Sequence, residues 1–282
     1  MKSLNNKTNF EQGAVKLRRE VEDQQHYQAK FETLVIDVTK QQHVDAALVH
    51  VRSKTNELWA VVNNAGVGCA PVPDAWLSTS DYERCLQVGW MRCLVNTIGM
   101  IRVAHAFSPL VKRANGRIVN MTSVASRMAY PNLAPYSVSK AATGAYSDIL
   151  RRELAPFGVT VCIIEPSLFL TPLIDETMRK QMADSAWAQL SAELKAQYGE
   201  RFHEQNKAHV DKSVADWART DIDAVVHVYC NALFSRHPRS RYHIGWESHF
   251  GLIPTAMAPT WLQDFLLGAM YQAVGAPTPK NP

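Results

Sequence analysis

Tyr136 and Lys140 stand four residues apart in the run Tyr136-Ser137-Val138-Ser139-Lys140. Four residues is just over one helical turn, so on a helix both side chains share a face. A phenol titrates near pH ~10 and is a poor acid–base group at neutral pH. An ammonium held beside it favours the phenolate and lowers that value. Ser123 precedes Tyr136 at the expected C-terminal end of a buried strand, where open α/β sheets place their ligand crevice. A hydroxyl there can hold a substrate oxygen while Tyr136 gives or takes its proton. By itself a tyrosine and lysine at this spacing is equally explained by a solvated helix face.

Other chemistries fit less well. His203-Glu204 opens a zinc-hydrolase pattern, but Lys207 stands where the second histidine belongs. No nucleophile elbow and no P-loop is present, and the thirteen glycines contain no G-x-G-x-x-G. The ten histidines show no other ligand spacing and are expected mostly at the surface; no metal is expected. The five cysteines (Cys69, Cys85, Cys93, Cys162, Cys230) are odd in number, scattered and free of C-x-x-C pairs, which favours a reducing, intracellular setting. Thirty Lys and Arg against 26 Asp and Glu give +4 with no basic block, which argues against nucleic acid. The opening MKSLNNKTNF has no signal-peptide core, and no apolar run reaches transmembrane length. The apolar stretch Trp261 to Val274 is expected to pack on the core as a helix, with a place on a membrane surface as the alternative.

The elements that must position Tyr136, Lys140 and Ser123 alternate in type. At 46% hydrophobic and 20% charged, 282 residues bury a sizeable core. Helices are expected at 10–28, 42–54, 81–110, 136–154 and 221–234. Strands are expected at 31–38, 58–62, 116–121, 159–164 and 241–244, the last at a sheet edge. The strands are short and almost wholly apolar, so they read as parallel and buried on both faces, a doubly wound α/β sheet. One domain spans 1–282: an incomplete α/β core at 1–171, a helical stretch at 172–220, and a closing helix, edge strand and C-terminal helix at 221–282. Phe169, Met178 and Trp187 suit either an apolar pocket or the core. Asn120-Met121-Thr122 matches a glycosylation sequon but falls in an expected buried strand.

The ordered set Asn63-Asn64-Ala65-Gly66, Asn120-Met121-Thr122-Ser123, Tyr136, Lys140 and Glu165-Pro166 resembles the short-chain dehydrogenase/reductase family, from about residue 10 to about residue 270. The runs Leu150-Arg151-Arg152-Glu153-Leu154 and His237-Pro238-Arg239-Ser240-Arg241-Tyr242, with Gly245-Trp246, resemble its retinol and hydroxysteroid dehydrogenase branch, which includes 3-hydroxybutyrate dehydrogenase. The resemblance implies a Rossmann-type fold and oxidation or reduction at the CH–OH group of an apolar alcohol or ketone, such as a retinoid or steroid. A short 3-hydroxy acid is the alternative substrate, and NAD or NADP the cofactor. It implies Tyr136 as general acid/base and Lys140 as the group that lowers its pKa and binds the nicotinamide ribose. Ser123 would hold the substrate oxygen, and the Asn96 backbone would anchor a proton-relay water. Asp37 and Val38 would meet the adenine; Asn63, Ala65 and Gly66 the adenosine side; Pro166 and Thr171 the carboxamide. The cytoplasm or the surface of the endoplasmic reticulum is the implied location, and homo-oligomerisation is left open.

The sequence departs from the family at its start. Gly13 is the one glycine before Gly66, so the glycine-rich turn that lets backbone N–H groups approach a pyrophosphate has no counterpart. The first strand–helix–strand unit reads as missing, except for a stub at 1–6. Weak cofactor binding, marginal stability and a non-catalytic binding or regulatory relative follow as expectations. Residues 89–94 read as a six-residue surplus that would misaim Asn96 unless they loop out, and Ser167 replaces the family's usual glycine.

Overall fold

The computed structural model describes residues 32–86, 95–273 and 275–280. The chain divides into two units, 1–37 and 38–282. The expected helix 10–28 and the surplus residues 89–94 lie outside the described residues.

The second unit is built on four parallel strands: β1 (Ala60–Asn63), β2 (Arg117–Met121), β3 (Thr160–Pro166) and β4 (Arg241–Ile244). They lie in sequence order, β1-β2-β3-β4, each paired with the next. The α/β class and the parallel sheet are as expected, and β4 keeps its expected limits. Parallel neighbours need a crossover, and helices supply it. In chain order the helices are α1 (Gln41–Arg52), α2 (Thr79–Leu86), α3 (Met100–Arg113), α4 (Ala134–Leu154), α5 (Glu176–Ala188), α6 (Ala192–Tyr198), α7 (Glu200–Trp217), α8 (Ile222–Phe234), α9 (Ile253–Met257) and α10 (Thr260–Ala273).

Alternation along the strands sends side chains to two faces. Val61, Ile118 and Val161 pack with Val44 of α1, Phe107 and Leu110 of α3, and Leu150 and Leu154 of α4. Val119, Cys162 and Ile164 pack on the other face with Ala232 of α8, Phe169 and Tyr242. Both faces are therefore covered, which explains the unbroken apolar runs. Gly116 opens β2 against the carbonyl of Trp59, where a Cβ would collide with backbone.

Three expectations are corrected. Residues 32–38 form no strand, and none of the three ladders includes them. Their β-branched run satisfies the local preference, but a strand exists only with a partner for its backbone groups. Of the expected helix 81–110, residues 87–94 lie outside the described residues, and Val95–Gly99 forms a wide π-type turn that leads into α3. Last, α10 is not buried in the core. Trp261 and Phe265 are 71% and 68% exposed, and no residue of α10 is buried. The helix touches α7 through Tyr271, whose ring lies 5.2 Å from that of His209.

Helices α5, α6 and α7 pack on a separate aromatic cluster of Trp76, Trp187, Tyr198 and Phe202. Trp187 stacks on the buried His203 ring at 5.0 Å. Phe169 and Trp187 are thus core residues, whereas Met178 is exposed. His203 and His209 are buried exceptions among the otherwise more exposed histidines, and no group able to hold a metal ion occurs among the described residues.

Candidate active site

Ser123 leaves β2 and caps a short 3-10 turn, Val124–Ser126, its hydroxyl accepting from the Ala125 N–H at 3.2 Å. The chain then returns and enters α4 at Ala134-Pro135, with proline in the first turn, where a missing N–H does no harm. Tyr136 is therefore the third residue of the helix, and the Ser123 side chain acts on its phenol. Lys140, one turn later, is 3% exposed. Its ammonium lies 5.7 Å from the centroid of the Tyr136 ring. It donates to the Met121 carbonyl at the end of β2 (3.3 Å), the one acceptor it meets among the described residues. On the β1 side Nζ lies beside Gly66, 3.6 Å from where a Cβ would stand. The expected shared face of Tyr136 and Lys140 is therefore real.

Asn96 is buried in the Val95–Gly99 turn, and its amide reads both backbone groups of Val67: Val67 N donates to Oδ1 at 2.8 Å, and Nδ2 donates to the Val67 carbonyl at 3.0 Å. Nδ2 also reaches Ser139 Oγ at 3.1 Å, and Ser139 Oγ donates to the Tyr136 carbonyl at 2.7 Å. Asn96 thus joins the loop after β1 to the helix that carries Tyr136 and Lys140.

The remaining expected residues are more dispersed. Asn63 ends β1 and donates to Asn120 Oδ1 at 2.8 Å; Ala65 is exposed in the loop that follows. Pro166 ends β3, opposite Ile244. Thr171 lines a cavity of about 390 Å³ with Leu170, Pro172, Ile174, Arg179 and Asp211, none of which belongs to the Ser123–Tyr136–Lys140 group. The Val38 carbonyl accepts from Arg102 Nη1 at 3.4 Å, at the start of α1. Asp37 closes the first unit. Ser167 donates its hydroxyl to Glu247.

Burial dominates the electrostatics. It lifts the Tyr136 phenol above its ordinary value; the Ser123 hydrogen bond pulls the other way, and the Cys69 thiolate, when charged, pushes it further up. The net direction is opposite to that expected from a neighbouring ammonium. Burial also brings Lys140 down from 10.5 to about 8. A neutral phenol beside a mostly charged lysine is the resting state at neutral pH.

Sequence reasoning missed several residues. Thr97 Oγ1 donates to the Ser139 carbonyl at 3.0 Å, and Thr143 Oγ1 approaches the carbonyls of Asn96 (3.0 Å) and Ser139 (2.9 Å). Glu165, fully buried at the end of β3, pairs with Arg241, lies 3.2 Å from Arg127 Nε and accepts from Ser126 Oγ at 3.3 Å. His243 Nδ1 stands 3.0 Å from its other oxygen, an ion-pair distance without the alignment of a hydrogen bond. Glu165 thereby ties β4 to the turn after Ser123. The signal for it was a carboxylate inside an apolar strand, in Ile163-Ile164-Glu165-Pro166.

Comparison with known proteins agrees with this geometry. The short chain dehydrogenase family pattern matches residues 8–182. The chain is 38% identical over 272 residues to 3beta-hydroxysteroid dehydrogenase dhs-16 of Caenorhabditis elegans, covering 95% of this chain and 68% of that protein. It is 35% identical over 259 residues to mouse (Mus musculus) retinol dehydrogenase 16, covering 91% of this chain and 77% of that protein. A solved short-chain dehydrogenase from Streptomyces avermitilis shares the fold with a TM-score of 0.60 at 17% identity, over 86% of this chain and 80% of that one. Fold, ordered motifs and relatives converge, and the chain belongs to the short-chain dehydrogenase/reductase family.

Proposed function

We propose that this chain is an NAD- or NADP-dependent oxidoreductase acting on the CH–OH group of an apolar alcohol, or on the corresponding ketone, of steroid or retinoid type. The observation that carries the reading is the grouping of Ser123 and Tyr136 with the buried Lys140 ammonium, which lies 5.7 Å from the Tyr136 ring and donates to the Met121 carbonyl at the C-terminal end of β2. The names of the hydroxysteroid and retinol dehydrogenases among its relatives support the substrate class.

The residues fit one end of the cofactor. Lys140 is a buried ammonium with three donors and one acceptor among the described residues, so two N–H groups suit the ribose hydroxyls of a nicotinamide nucleotide. No glycine-rich turn in the 282 residues fits the diphosphate. The nicotinamide supplies hydride acceptance or donation at the substrate carbon. Tyr136 gives its proton to the substrate oxygen in reduction and removes it in oxidation. Ser123 orients that oxygen within reach of the phenol. The Lys140 charge steadies the phenolate left after proton transfer.

The exposed Trp261 and Phe265 of α10 support an association with a membrane surface, such as that of the endoplasmic reticulum. Among the described residues no helix is long and apolar enough to cross a membrane.

The alternative reading is a non-catalytic binding or regulatory protein. Titrating the chain with NAD(H) and NADP(H) by calorimetry, then assaying steroid and retinoid alcohols with and without Tyr136→Phe, separates the two. Turnover abolished by Tyr136→Phe supports the enzyme. Binding without turnover supports the second reading, and micromolar cofactor affinity would overturn the expectation of weak binding.

A further inference from the structure

The buried face of α7 carries an amide among its rings. Phe202, Asn206 and His209 recur there at helical spacing, and Asn206 is 1% exposed. An amide taken out of water needs partners at both ends, and Asn206 finds them on two different loops. Its Oδ1 accepts from Asn132 Nδ2 at 2.8 Å, and its Nδ2 donates to the Pro71 carbonyl at 3.1 Å. Pro71 lies in the segment that leaves the C-terminal end of β1. Asn132 lies in the segment that leaves the C-terminal end of β2 and runs into α4. Its backbone is left-handed, at φ +66°, a conformation that asparagine adopts more readily than most residues. Gly66 and Val67 precede Pro71 on the first segment, and Ser123 and Tyr136 flank Asn132 on the second. Open α/β sheets bind their ligands outside the strand ends from which these two segments leave. One side chain of α7 thus bridges both.

Resting on the catalytic reading above, we propose that Asn206 is a positioning residue for substrate binding. Its amide is a strut of fixed length that sets the spacing of the Pro71 and Asn132 segments, and with it the width available to the apolar body of the alcohol or ketone. The acid–base group does not depend on this strut. Helix α4 is tied down elsewhere, by Asn120 Nδ2 on Ser147 Oγ at 2.9 Å and Asn96 Nδ2 on Ser139 Oγ at 3.1 Å. The Asn132 segment has a second, longer hold on α10: Asn132 Nδ2 lies 3.3 Å from Tyr271 Oη, which itself lies 3.4 Å from the Pro131 carbonyl. With the strut removed, that segment is held from α10 and no longer from α7, and the two walls move independently. Substrate affinity falls while the chemistry of the bound substrate is kept.

The test uses the full chain with Asn132→Gly, which permits the left-handed backbone and removes the amide, and Asn206→Leu, which is similar in volume and has no polar ends. Each is expected to raise KM for a steroid or retinoid alcohol roughly tenfold, with kcat and the cofactor KM within about twofold of the parent. A general loosening of the fold would instead lower kcat and cofactor binding together. Because both changes break one strut, the double variant should be no worse than Asn206→Leu alone. The same alcohols, titrated by tryptophan fluorescence into Tyr136→Phe with and without Asn132→Gly, should show the same loss of affinity where no turnover occurs. An unmoved KM, or additive losses in the double variant, would overturn the proposal while Tyr136→Phe remains inactive. Turnover that survives Tyr136→Phe would sink the catalytic reading; the affinities then support the strut if they fall with Asn132→Gly and overturn it if they do not. A parent chain that binds neither alcohol would overturn the proposal outright.

Discussion

Asn63 and Asn120 stand opposite each other in the β1–β2 ladder, and Asn63 Nδ2 donates to Asn120 Oδ1 at 2.8 Å. Asn120 is fully buried and passes the connection on, its Nδ2 donating to Ser147 Oγ at 2.9 Å. Ser147 in turn donates to the Thr143 carbonyl at 2.7 Å. The ends of two strands are thereby tied to the helix that carries Tyr136 and Lys140. Its full burial also agrees with discounting the glycosylation sequon.

Asn120→Leu is similar in volume but leaves the Asn63 amide and the Ser147 hydroxyl without this partner. It should destabilise by about 2 kcal/mol and lower the unfolding midpoint by roughly 5 °C in a thermal melt. An unchanged midpoint would show that water takes over both groups.

Lys140→Met should do the reverse. Bringing a buried lysine from 10.5 to about 8 means that folding works against its charge, at a cost of about 3 kcal/mol near neutral pH. Because the folded value is the lower one, that cost is full below pH 8 and is relieved as pH rises toward 10.5. Lys140→Met is expected to raise the midpoint at pH 7 by several degrees and to abolish turnover. A lower midpoint would mean that the Met121 hydrogen bond outweighs the desolvation.

Glu165 predicts acid sensitivity. Burial alone would raise its carboxyl, but His243, Arg241 and Arg127 together hold it below the ordinary glutamate value. A carboxylate depressed in the folded state adds stability that is present above its unfolded pKa and is lost as pH falls through the folded one. Glu165→Gln should therefore destabilise the protein at pH 7, by about 3 kcal/mol, and flatten the acid limb of its stability profile. Parallel acid limbs for the two proteins in urea melts at several pH values would contradict this.

The resting protonation favours carbonyl reduction. That direction needs a protonated phenol and a charged lysine, and both conditions hold below about pH 8. For reduction, kcat/KM should be flat through neutrality and fall above about pH 8, as the free enzyme loses the Lys140 proton. A fall beginning well below pH 7 would assign the limb to another group.

Legibility in the sequence followed the range of the interactions. Arg241–Ile244 is legible because Tyr242 and Ile244 alternate with polar residues between Pro238 and Gly245. Residues 32–38 carry a β-branched apolar signal and form no strand, because pairing is decided by a partner that local pattern does not contain. Residues 95–99 continue a helical periodicity, and the turn there is set by Asn96 and Thr97 reaching Val67 and Ser139, contacts that exist only once α3 and α4 dock. Tyr136, Lys140 and Ser123 were legible because their chemistry needs one turn of helix and one strand end. Thr143 was not, since a threonine facing a carbonyl and a threonine facing water look alike in sequence.

The strand order has a consequence for how the protein is made. Each strand joins only its immediate predecessor, so the sheet can grow in the order in which the chain leaves the ribosome. The segment joining β3 to β4 is about twice as long as the one joining β2 to β3, because it carries α5 to α8. Doubling such a connection adds only about 0.6 kcal/mol of closure entropy. The segment between β3 and β4 can therefore be lengthened, shortened or exchanged at little expense to folding, while the strands and α4 keep Ser123, Tyr136 and Lys140 in place.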